Sequence, residues 1–233
     1  MLEKGDSHWF SSTLVLMAAL NEEKGIGLTI ADLKKHLAGS SILVVDGKST
    51  DETVHVAKNL GADILFQKGH GKGDAVDSAL RHIDDEFEYV VMIDADYTYP
   101  AKEIPQMIKI LSKNPEVGMV CGNRFNAHLQ LKAMRNTFYF GNRLLAFTHN
   151  FMNGMALRDP LTGLRVIRKK ILEDWTPKSD GFDIEVELNH HVERRGYSIV
   201  EIEIPYRPRV GKKKLKLRHG ITIIKRILSE SIY

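Results

Sequence analysis

The chain's 233 residues are 43% hydrophobic and 27% charged, which fits one large globular domain with a sizeable core and excludes disordered and fibrous classes. The net charge of +3 conceals an asymmetry: residues 207–226 hold nine Lys or Arg and no Asp or Glu, leaving −6 on the remainder and pointing to phosphates or an anionic surface as partner. A single cysteine, Cys121, excludes an internal disulfide, no apolar run reaches the roughly 20 residues of a membrane span, and no signal-peptide order opens the chain, so the expectation is a soluble, cytosolic protein.

Residues 1–12 read as a loose leader. Thr13–Ala19 reads as a first strand, followed by Asn21-Glu22-Glu23 and a helix with Ile30, Leu33 and Leu37 at helical spacing. Ser41–Val45 is a second buried strand. It ends in Asp46-Gly47-Lys48-Ser49-Thr50-Asp51, where Ser49 or Thr50 can cap the helix that runs to Leu60. Ala62–Gln67 is a third strand, and the glycines of Gly69-His70-Gly71-Lys72-Gly73 would either let backbone approach a ligand before the next helix or form a plain flexible turn. It is not a Walker A loop, because no Lys-Ser/Thr pair enters the helix.

The stretch Tyr89-Val-Val-Met-Ile-Asp94-Ala95-Asp96-Tyr-Thr-Tyr-Pro100 organises the rest. An apolar strand stops at two carboxylates one residue apart, and the carboxyl end of a strand is where open α/β sheets bind ligands. Asp94 and Asp96 could hold a hard divalent cation with a diphosphate, or one could cap the helix over Ala101–Lys113. Val117–Gly122 is the fifth strand, with Cys121 as a small buried hydrophobe, and it leads into Asn123-Arg124-Phe125. The alternation of β and α predicts a mostly parallel sheet flanked by helices.

The second half is less regular. Lys132–Leu157 looks mainly helical, Leu164–Ile167 and Tyr197–Ile204 read as strands, and Asp180–Asp183 opens a helix. Glu185 and Glu187 on that helix read as surface, and the adjacent His190 and His191 have poor metal-ligand spacing. Residues 219–233 form an amphipathic helix with an Ile223, Ile224, Ile227, Leu228 stripe, which suits either a membrane surface or the protein's own body.

In order, Ala19-Leu-Asn21-Glu22-Glu23, Val45–Asp51, Gly71-Lys72-Gly73, Asp94-Ala95-Asp96, Gly122-Asn123-Arg124, Asp159–Arg165 and Arg209–Leu215 resemble the motif series of family-2 glycosyltransferases. The resemblance spans residues 13–218 and is strongest to dolichyl- or polyprenyl-phosphate sugar synthases. It departs at Ala19 and Leu20, where the family has Pro-x-Tyr, at Gly47 in place of Asp, and at Lys213 in place of Ser. The resemblance implies a Rossmann-like GT-A fold. It places Ala19, Asn21, Glu22 and Asp46 at the nucleotide, Lys72, Gly73 and Ala95 in the donor site, and Mg²⁺ or Mn²⁺ on Asp94 and Asp96. Arg209 and Lys214 would close over the diphosphate, and Arg124 and Arg135 would receive the acceptor phosphate, with Asp159 the candidate base for a hydroxyl acceptor. The expected activity is inverting transfer of a hexose or N-acetylhexosamine from a UDP- or GDP-sugar to polyprenyl phosphate, peripherally on the cytoplasmic face of a membrane and without nucleic acid. The rivals are a soluble acceptor, a sugar-phosphate nucleotidyltransferase and a basic-tailed binding module.

Overall fold

The computed structural model describes residues 6–125, 137–154, 156–212, 214 and 217–231. In chain order the elements are α1 (Asp6–Ser11), β1 (Thr13–Ala19), α2 (Glu23–His36), β2 (Ser41–Asp46), α3 (Thr53–Asn59), β3 (Asp63–Phe66), α4 (Lys72–Leu80) and β4 (Tyr89–Met92). A 3-10 turn (Ala101–Glu103) then enters α5 (Ile104–Lys113), followed by β5 (Val117–Asn123), α6 (Thr137–Asn153), β6 (Arg165–Arg168), α7 (Lys169–Leu172), α8 (Ile184–Arg194), β7 (Ser198–Glu203) and α9 (Leu217–Glu230).

Among the described residues the strands form one seven-stranded sheet in the order β3-β2-β1-β4-β6-β5-β7. All neighbours pair in parallel except β6, which lies antiparallel between β4 and β5. Successive side chains of a strand point to opposite faces, so each buried strand feeds two cores. Val15, Met17, Val91 and Val166 pack under α2 and α5, whereas Leu16, Val90, Met92 and Ile167 pack under α4, α7 and α8. On α5, Ile104, Met107, Ile108 and Leu111 follow the i, i+3, i+4, i+7 rule and are fully buried, each stabilising by roughly 1.5–3 kcal/mol. Cys121 lies in the second core, where burial pushes its thiol up to about 12.

Three expectations are corrected. The described part of the leader is helical, because Phe10 is buried in the core and Trp9 packs against it. Neither Ser49 nor Thr50 caps α3: both bond to Asn21, and it is Asp51 Oδ1 that accepts the N–H of the first helical residue, Thr53, at 3.1 Å. The apolar stripe of α9 is split: Ile223 and Ile227 are buried beside Leu145 and Val186, while Ile224 and Leu228 are exposed. Arg226 fixes this docking through Asp183 at 3.1 Å and Glu187 at 3.8 Å.

Candidate active site

The carboxyl ends of β1, β2 and β4 meet at one edge of the sheet. Each strand turns away there through a residue in the left-handed region: Asn21 (φ 50°), Lys48 (φ 67°) and Tyr97 (φ 65°). Such backbone in non-glycine residues costs about 1–3 kcal/mol each and clusters at functional sites. The turns are laced together. The Asn21 N–H donates to Ser49 Oγ at 2.8 Å, the Thr50 N–H to Asn21 Oδ1 at 2.8 Å, and the Ser49 N–H to Asp46 Oδ2 at 2.9 Å. The Ala19 carbonyl accepts the Gly47 N–H at 2.8 Å, which ties β1 to the β2 turn. Asp46 is fully buried, and among the described residues its Oδ1 and the Glu22 Oε2 have no hydrogen-bond partner.

Asp94 and Asp96 follow β4. Asp96 Oδ1 accepts from the Thr98 N–H at 3.1 Å and the Thr98 hydroxyl at 2.5 Å, a local turn and not a cap of the following helix. That helical segment is approached instead by Asp32, whose Oδ2 accepts the Ala101 N–H at 3.0 Å. The Ala95 backbone is backed so tightly by Gly25 that a Cβ there would lie 2.8 Å from the Ala95 oxygen.

Three cations converge on these carboxylates. Lys72 Nζ lies 2.7 Å from Asp94 Oδ1 and 2.7 Å from Glu185 Oε1. Arg209 reaches Asp96 with Nη1 and Glu22 with Nη2, and Lys214 lies 3.5 Å from Glu22 and donates to the Asn21 carbonyl at 2.9 Å. Burial pushes the Asp94 carboxyl up, but Lys72 more than offsets it and the group sits below the ordinary range. Asp96 sits above its ordinary value through burial and the adjacent Asp94 charge, and Glu22 is raised by burial. Burial opposes the charge on Lys72, yet Asp94 and Glu185 raise its pKa and hold it protonated.

Arg209 is carried by a strap laid on the β4 turn. The Arg207 N–H donates to the Thr98 carbonyl at 2.9 Å and the Val210 N–H to the Asp96 carbonyl at 3.1 Å. Arg207 itself pairs with Asp32 at 2.9 Å and lies over the Tyr97 ring.

Glu185 and Glu187 are corrected from surface to buried. Glu187 accepts the Lys178 and Ser179 N–H groups at 2.7 and 2.8 Å, which draws residues 178–180 against α4. This segment explains the glycines around Lys72. A Cβ on Gly73 would sit 1.7 Å from the Ser179 oxygen and one on Gly71 2.1 Å from the Asp180 oxygen, so the close approach is by the chain's own backbone. His191 bonds to the Ile171 carbonyl at 2.6 Å, and His190 is buried beside His149.

Arg124 stands apart from the three cations. Its Nε and Nη2 reach Asp159 at 2.7 and 2.8 Å, and its guanidinium also lies over the Tyr206 ring. Both Asp159 oxygens are therefore taken, and the Asp159 N–H is anchored by Glu201 at 2.7 Å. Arg165 is fully buried and bonds to Asn189 at 2.6 Å and the Pro160 carbonyl at 2.6 Å, so it holds the 159–165 loop in shape. Arg135 lies outside the described residues. Sequence reasoning missed Glu185 and the tyrosines Tyr99 and Tyr206, which close the floor between the two sides in an edge-to-face pair.

The edge can receive an anion of high charge density. Among the described residues no group of three or more His, Cys, Asp or Glu forms a self-sufficient metal site. The donor set is nonetheless hard: Asp94 and Asp96 offer carboxylate oxygens, and a diphosphate with water would complete the shell of Mg²⁺ or Mn²⁺. The residues present thus fit such a cation only together with a diphosphate.

Residues 14–176 match the family described as Glycosyl transferase family 2. A dolichyl-phosphate hexose transferase of Haloferax volcanii is 32% identical over 88% of this chain and 87% of its own length. The glycosyltransferase AglJ of the same organism is 35% identical over 84% of this chain, which spans 63% of that longer protein. Among solved structures, glucosyl-3-phosphoglycerate synthase from Mycobacterium tuberculosis, in complex with Mn²⁺, UDP-glucose and phosphoglyceric acid, superposes with a TM-score of 0.77 at 20% identity. That match covers 99% of this chain and 84% of the other, and it shows the shared fold. A mostly parallel sheet whose strand ends gather paired aspartates and cations, and a sequence match over most of its length, make this chain a member of glycosyl transferase family 2.

Proposed function

We propose that the protein transfers a hexose or N-acetylhexosamine from a UDP- or GDP-sugar to dolichyl or another polyprenyl phosphate, at the cytoplasmic face of a membrane. The observation that carries this reading is the convergence of Lys72, Arg209 and Lys214 on Asp94, Asp96 and Glu22 at the strand ends. The likeness to the Haloferax dolichyl-phosphate hexose transferase supports the lipid acceptor.

Asn21, Glu22 and Asp46 would line the base and ribose; Asp46 Oδ1 and Glu22 Oε2 are buried there without a hydrogen-bond partner among the described residues. Asp94 and Asp96 would hold Mg²⁺ or Mn²⁺, which supplies positive charge to the leaving diphosphate when bound. Arg209 and Lys214 add preorganised charge at the same place. The acceptor phosphate oxygen forms a bond to the anomeric carbon as the bond from that carbon to the diphosphate oxygen breaks, and the configuration inverts. A phosphate monoester is already ionised near neutral pH, so no side chain has to remove a proton. The engagement of both Asp159 oxygens by Arg124 supports a reaction that needs no base there. Arg124 and Arg135 would contribute positive charge on the acceptor side.

The test is titration calorimetry with UDP, GDP, UDP-glucose, UDP-N-acetylglucosamine and GDP-mannose, with Mn²⁺ and with EDTA, followed by transfer of labelled sugar to polyprenyl phosphate. Metal-dependent binding of one base and label in the organic phase are expected. Label appearing only on a soluble phosphorylated acceptor would replace the lipid reading, and no binding to any donor would sink both.

A further inference from the structure

Helices α6 and α9 pack on one another and share a small core of Leu145, Val186, Ile223 and Ile227 with α8. Each uses only one face for it. On the other face of α6, Leu144, Phe147 and Phe151 recur at i, i+3 and i+7. The two phenylalanines are 67% and 77% exposed, with rings stacked 6.0 Å apart. On α9, Ile221, Ile224 and Leu228 repeat the same spacing and are also exposed. Large side chains gathered in this way mark an interaction surface, whereas scattered ones do not.

Charge identifies the partner. The sequence has no Asp or Glu between Phe125 and Arg158, nor between Ile204 and Ser229. Arg143 and Lys225 stand exposed on the two helices, while the neighbouring acids Asp183, Glu187 and Glu230 face Arg226. A second copy of the chain docking here would set like-charged faces against each other. An anionic lipid surface matches both the apolar rows and the cations.

We infer that the α6–α9 face docks on an anionic lipid bilayer, with Phe147, Phe151, Ile221 and Ile224 entering the headgroup boundary. The purpose of this docking rests on the lipid-acceptor reading, but its test does not. The full chain is sedimented with vesicles of phosphatidylcholine plus phosphatidylglycerol and with vesicles of phosphatidylcholine alone, beside the variant carrying Phe147→Ser and Phe151→Ser.

The wild type should bind the anionic vesicles, less so as salt rises. The double variant should bind at least about tenfold more weakly, since it loses two buried aromatic side chains. Its transfer to a short-chain, water-soluble prenyl phosphate should match the wild type. Equal vesicle binding by wild type and variant, or none by the wild type, overturns the proposal, as does self-association lost in the variant without vesicle binding. A chain that glycosylates the short acceptor yet ignores vesicles loses only the docking face. One that binds vesicles and glycosylates nothing loses only the transferase reading.

Discussion

Two sets of carboxylate–cation pairs stand near one edge of the sheet, and they are built differently. On the donor side Asp94 and Asp96 meet Lys72 and Arg209, each through a single carboxylate oxygen, and Lys72 divides itself between Asp94 and Glu185. On the other side Arg124 grips both oxygens of Asp159 in a buried fork, under Tyr206. Single contacts can be exchanged for a ligand's oxygens at small cost. A buried fork that engages both carboxylate oxygens is a fixture of the fold. Charged residues of the same types therefore serve binding at one place and shape at the other.

Substitutions can break that comparison. Asp159→Ala leaves a buried guanidinium without its partner and should cost roughly 3–5 kcal/mol of stability in urea unfolding. If Asp159→Ala unfolded at the wild-type urea midpoint, the fork would not be structural. Asp96→Ala should cost less stability than Asp159→Ala, because relief of the like charge on Asp94 offsets part of the lost Arg209 and Thr98 contacts, and Arg209 keeps Glu22. It should abolish metal-dependent donor binding and lower kcat by roughly 10²–10³. Gly73→Ala sharpens the contrast from the backbone side: its Cβ would meet the Ser179 oxygen at 1.7 Å. The expected loss is about 1–3 kcal/mol, together with displacement of Lys72 and weaker donor binding.

Smaller effects follow from groups away from both sets. Burial lowers His149 and His190 from 6.5 to about 4, so the folded chain stays unprotonated where the unfolded chain takes up protons. Their contribution to stability is complete above about pH 6.5, falls as pH drops from 6.5 toward 4, and is flat below that. Thermal melts across this range should show the decline, and His190→Gln should shallow it. The smallest effect should come from Arg207→Ala: its partly exposed pair with Asp32 contributes roughly 1 kcal/mol, with a modest rise in donor KM as the strap loosens.

Much of the fold was legible because the first five strands are short apolar runs that stop at polar turns. β1 runs over Thr13–Ala19 as its composition predicts, and β2, β4 and β5 differ from expectation by a residue at one end. Periodicity does not report direction, so nothing in Leu164–Ile167 announced that β6 would enter the sheet antiparallel between β4 and β5. Asp94 and Asp96 were legible as carboxylates at a strand end. Glu185 and Glu187 were not, because their partners Lys72, Lys178 and Ser179 are brought to α8 only by the tertiary fold. Local spacing likewise left the glycines beside Lys72 open between a ligand and a plain turn, when Gly71 and Gly73 accommodate residues 179–180.

The antiparallel placement of β6 also bears on how the chain is made. β3, β2, β1 and β4 are complete by Met92 and can zip together as soon as they leave the ribosome. β5 is synthesised next, yet among the described residues its strand partners are β6 and β7, both made later. Its apolar run, covered on one face by α5, must wait without a strand partner while more than forty further residues emerge to reach Arg165. A nascent chain stalled within that interval would carry an unpaired strand edge, the feature that most invites aggregation during folding.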